Sequence, residues 1–112
     1  MTIHIDLPQL QADFIRYAKV NTRSYPGRDT TPSTPGQTEL AKLLVAQLKD
    51  LGLQDVGLNP ANGFVTATLP ANTDKPTKSF GIIAHLDTAD YNAENVQPQV
   101  HPNYDGKPIH FD

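Results

Sequence analysis

Ser79-Phe80-Gly81-Ile82-Ile83-Ala84-His85-Leu86-Asp87-Thr88 is the segment around which the remaining chain is organised. It opens as a short, almost wholly apolar run rich in branched residues. Such a run predicts a strand buried on both faces. It then ends abruptly on two ionisable side chains, His85 and Asp87. Ionisable groups at the end of a buried strand are costly unless something pairs with them. In open α/β sheets that end is also where ligands bind. Residues two apart in extended backbone share a face, so imidazole and carboxylate point the same way. A neutral imidazole is a good zinc ligand, and its second ring nitrogen needs an acceptor that fixes tautomer and direction. Asp87 can be that acceptor. A plainer reading stays open: a strand-end histidine beside an aspartate that caps the turn at Thr88. His-x-Asp is short enough to recur by chance.

Working outward toward the N-terminus, Pro70 to Lys78 is a polar connection. Phe64-Val65-Thr66-Ala67-Thr68-Leu69 alternates and is β-branched, which predicts a strand with one wetter face. Gln54 to Leu58 predicts a short strand before it, and Asn59-Pro60-Ala61-Asn62-Gly63 the turn between them. The Phe80–Ala84 strand is expected to lie beside the Phe64 strand. Leu40, Leu43, Leu44, Leu48 and Leu51 form the apolar stripe of a core-facing helix. Thr34 is placed to cap it, Pro35 to open it and Gln37 to complete a capping box. Gly52 can end it in the left-handed conformation. Leu7, Leu10, Phe14, Ile15 and Ala18 recur at helical spacing, so a first helix is expected from Leu7 to Val20, capped by Asp6 with Pro8 in its first turn. Asn21 to Pro35 is a long ordered loop, and long loops in compact domains are often functional.

Past Asp87 the periodicity dissolves. Asp90, Glu94, His101, Asp105 and His110 are conceivable ligands that read more simply as solvated loop residues. Tyr104-Asp105-Gly106-Lys107 predicts a turn, and Lys107 to Asp112 the start of another strand. The expected fold class is α/β, with two helices and three to four strands in one unit.

Composition narrows the function. A chain of 112 residues is the size of one domain. A net charge of −3 gives no electrostatic case for nucleic acid or for an anionic membrane. No window is long and apolar enough to span a bilayer, and no signal peptide is visible. With no cysteine, disulfides and thiolate metal sites are excluded, and any metal must be held by His, Asp or Glu, which suits zinc. A cytoplasmic protein is expected. A one-metal site built from His85, His101 and His110 matches no defensible ligand spacing.

Several segments, taken in order, carry a resemblance: Pro32-Ser33-Thr34-Pro35-Gly36-Gln37; Leu51-Gly52-Leu53; Gly63 to Asn72; Phe80 to Ala89; Asn95-Val96-Gln97-Pro98-Gln99-Val100; and Asn103-Tyr104-Asp105-Gly106. Together they resemble the start of the tripeptide aminopeptidases, a branch of the di-zinc aminopeptidase and carboxypeptidase superfamily. The resemblance implies the N-terminal part of a catalytic α/β sandwich with a mixed sheet and helices on both faces. It also implies a smaller inserted domain, used for closure and often for dimerisation, so a homo-oligomer is an expected partner alongside the tripeptide substrate. His85 matches the histidine that ligates one of two Zn2+ ions, and Asp87 the catalytic aspartate that supports it. Two metals would activate a water and polarise the scissile carbonyl, with a separate glutamate as general base. This chain departs from the pattern in two ways. Asp90 follows Ala89 directly, where the family often has a proline first. The remaining metal ligands lie later in such enzymes and have no counterpart here, so the isolated chain is expected to be inactive. A non-catalytic binding module reusing the same fold is the alternative.

Overall fold

The computed structural model describes residues 4–110. Helix α1 spans Leu7–Ala18 and helix α2 Pro35–Asp50. Strands β1 (Gln54–Leu58) and β2 (Val65–Thr68) follow and pair antiparallel. The α/β class is as expected, and one two-stranded sheet is present among the described residues.

α1 starts as its sequence dictates: the Asp6 carboxylate accepts a 3.0 Å hydrogen bond from the Gln9 amide, with Pro8 in the first turn. It ends two residues short of Val20. α2 also begins at Pro35 and ends before Gly52, which takes a φ of +80°. Its cap differs from the expectation. The Thr34 hydroxyl makes no capping bond and donates instead to the Arg23 carbonyl at 2.8 Å. Gln37 reaches Ser33 Oγ at 3.1 Å rather than completing a capping box. Both side chains are drawn to the loop that packs across the first turn of α2. Gly36 permits that approach, since a Cβ there would lie 1.7 Å from the Asn21 carbonyl oxygen.

The hairpin forms in the order the alternation predicts, with Leu58 opposite Val65, Gly57 opposite Thr66 and Gln54 opposite Thr68. A bulge lies between Gln54 and Gly57, where Asp55 sits at a φ of +50°. α2 packs over this hairpin. The core is small: Leu40, at 6 % exposure, and Ala41 are its buried apolar residues among those described. α1 meets α2 chiefly through polar side chains. Gln47 donates to Asp13 Oδ2 at 2.8 Å and accepts from Arg16 at 2.9 Å and from the Tyr17 hydroxyl. Leu7, Leu10 and Phe14 on α1 stay exposed.

Three expectations are corrected. Phe80–Ala84 forms no strand, does not pair with β2 and is not buried; Ile83 is 97 % exposed. The strand count among the described residues is therefore two, not three to four, and the two strands pair antiparallel. Residues 107–110 carry no strand, and the remainder of that expected element, Phe111 and Asp112, lies outside the described residues. The shared physical cause is a shortage of layers. A run apolar on both faces needs cover on both, whereas α2 supplies one helical layer. A radius of gyration of 17.4 Å, against roughly 13 Å for a compact domain of this size, expresses the same openness.

Candidate functional site

His85 and Asp87 come together. The imidazole Nδ1 lies 3.0 Å from Asp87 Oδ1. An ionised carboxylate can only accept, so Nδ1 is the donor, and in the neutral ring Nε2 then keeps its lone pair. Nε2 is the atom left to bind a cation or a proton. The pair is open to solvent, with side-chain exposures of 84 % for His85 and 44 % for Asp87, not the buried strand end that the sequence suggests.

What anchors the pair is a segment distant in sequence. Thr88 forms an isolated parallel bridge with Arg23: its amide donates to the Thr22 carbonyl at 3.1 Å, and its carbonyl accepts from the Ser24 amide at 2.8 Å. Arg23 then reaches Asp90, with Nε and Nη2 each 2.7 Å from Oδ1. Thr22 is buried beneath this contact. Sequence reasoning missed Arg23 altogether. The only signal was the length of the loop from Asn21 to Pro35, because a charged loop residue carries no mark of a partner 67 positions away.

The other acidic and histidine candidates do not join the pair. Asp90 is engaged by Arg23. Asp105 pairs with Lys107 at 2.8 Å, and the Lys107 side chain, with its amide, holds the Asp105 carboxyl below its ordinary pKa of 3.8. His101, Asp105, Lys107 and His110 line a shallow depression of their own. Glu94 makes a local backbone turn with Asn92. Among the described residues no three His, Cys, Asp or Glu side chains gather as a metal site, so the site built from His85, His101 and His110 does not form. Among the described residues the pair would offer a divalent cation such as zinc one nitrogen donor with its orienting acceptor, and no further donor. Among the described residues no helix is long and apolar enough to cross a membrane.

No family model matches the chain. Against curated proteins, it is 51 % identical over 100 residues to peptidase T of Limosilactobacillus fermentum and 53 % identical over 100 residues to peptidase T of Fusobacterium nucleatum. It is 54 % identical over 97 residues to peptidase T of Streptococcus pyogenes. The chain is a homologue of peptidase T. These matches cover 86–89 % of the chain and 24 % of each relative, so the chain spans about a quarter of the length of the peptidase T proteins it matches. A match of 100 residues within 112 necessarily contains residues 13–100. Arg23, His85, Asp87 and Asp90 all lie inside the region shared with peptidase T.

Proposed function

We propose that this chain is the N-terminal part of the catalytic domain of a zinc-dependent tripeptide aminopeptidase, to which it contributes one metal ligand, His85, and the catalytic carboxylate that orients it, Asp87. The observation that carries this reading is the 3.0 Å contact from His85 Nδ1 to Asp87 Oδ1, inside a region about half identical to peptidase T. The substrate is a tripeptide from which the first residue is removed. A catalytic zinc takes about three protein ligands, so one ligand with its orienter is an arm of a site and not a site. The isolated chain is therefore inactive, and the remaining ligands, the inserted domain and any homo-oligomer contact belong to a longer polypeptide. A cytoplasmic location fits the absence of cysteine. The second reading is a non-catalytic interaction module. It is favoured by the exposed Phe80–Ala84 run, which makes no backbone hydrogen bond among the described residues, since exposed apolar patches mark interaction surfaces.

A chimera separates the two. This chain replaces the matching segment of the Streptococcus pyogenes relative, and tripeptide hydrolysis and bound zinc are measured. Retained hydrolysis is expected, with a loss on the order of 100-fold on His85→Ala and a comparable loss on Asp87→Ala. A folded, zinc-loaded chimera with no hydrolysis would favour the interaction module. Metal-dependent turnover by the isolated chain would overturn its assignment as inactive.

A further inference from the structure

We propose that Arg23 is a positioning residue for the His85–Asp87 pair, acting through Asp90 and Thr88; this rests on reading that pair as one arm of a metal site. Residues 79–87 make no backbone–backbone hydrogen bond among the described residues. Approached from the apolar run, the pair hangs on nothing. The first fixed backbone after it is Thr88, one residue past Asp87, clamped on both sides by Thr22 and Ser24. Two residues further on, the Arg23 guanidinium closes on Asp90 Oδ1 with two nitrogens.

Arg23 is itself fixed from behind. Its carbonyl accepts from the Thr34 hydroxyl at 2.8 Å and from Gln37 Nε2 at 3.5 Å, at the first turn of α2. One residue thus joins the α2 terminus to the segment that carries Asp87. A planar guanidinium with donors in fixed directions sets the angle of its partner as well as its distance, which an ammonium does not. The ion pair is 39 % and 41 % exposed. Pairs so exposed contribute little to global stability, so this strap can be cut while the fold remains. Cutting it leaves the two backbone bonds to Thr22 and Ser24 as the hold on Thr88, which loosens that bridge and lets the Asp87 carboxylate, one residue away, turn from Nδ1. His85 then loses the acceptor that fixes its tautomer.

The test is read on the chain itself, without metal. Imidazole 15N shifts of His85, at a pH where the ring is neutral, report which nitrogen holds the proton. The expected result is a dominant Nδ1–H form in the unaltered chain. In Arg23→Ala and Asp90→Asn the Nδ1–H form should fall to a minority, with intermediate behaviour in Arg23→Lys. Recovery is expected in the exchanged pair R23D/D90R. Helix content by circular dichroism verifies folding in each, and Asp90→Asn, nearly isosteric, carries the test if Arg23→Ala does not fold. An unchanged Nδ1–H signature in folded Arg23→Ala and Asp90→Asn overturns the strap and leaves the site reading standing. A mixed tautomer already present in the unaltered chain overturns both.

Discussion

β2 and the run Phe80–Ala84 are both short stretches containing β-branched residues, yet one is a strand and the other is not. β2 has its partner just upstream, across a turn closed by hydrogen bonds from the Asn59 amide to the Phe64 carbonyl at 2.9 Å and from the Gly63 amide to the Asn59 carbonyl at 2.8 Å. The Asn59 and Asn62 side chains bind the Ala61 and Phe64 amides within the same turn. Its alternating pattern asks for one covered face, and α2 covers one. Phe80–Ala84 is apolar on both faces, and nothing in the described residues lies on either. A pattern with period two is satisfied locally, whereas a continuous apolar run depends on layers contributed from elsewhere.

The largest effect is expected on the covered side. Leu40→Ala removes one of the few buried apolar side chains and is expected to cost about 2–3 kcal/mol, read as a lower denaturant midpoint and loss of hairpin amide protection. If stability is unchanged, α2 is not what holds the hairpin. The uncovered side sharpens the contrast. Ile83→Lys is expected to shift stability by no more than about 0.5 kcal/mol, as for surface substitutions in general, while lowering the binding of an apolar dye and the tendency to associate. A large destabilisation would mean that the run is buried in solution.

The smallest effect lies beyond the run, in the exposed turn at Asp105. Its folded pKa is held below 3.8, first by the Lys107 side chain. A lowered folded value means that the charged form favours the native turn. That contribution is present above the ordinary aspartate value and is lost as pH falls through the folded one. Carboxyl 13C shifts should give Asp105 a midpoint below 3.8 that rises toward it in Lys107→Ala, with no change at β2.

Local rules carried the reading a long way and failed at identifiable places. Asp6, Pro8, Pro35 and Gly52 mark helix ends that the structure keeps within two residues, because capping depends on neighbours in sequence. Thr34 and Gln37 carried the right residue types for a cap but were claimed by Arg23 and Ser33. Spacing put Asp87 within reach of His85 as one of two readings, since residues two apart point the same way in extended backbone, and the 3.0 Å contact is the one found. The hold of Arg23 on Asp90 had no such warning, because nothing in the chemistry of a loop arginine names a carboxylate far along the chain.

Local sequence was enough for the helices and the hairpin, products of interactions spanning a few residues, and for putting His85 and Asp87 within reach of each other. That Phe80–Ala84 stays uncovered, and that Thr88 and Asp90 are tied through residues 22–24 to the start of α2, follows from the folded chain alone. Burial and long-range pairing depend on which surfaces the rest of the chain supplies, and no local pattern encodes that supply.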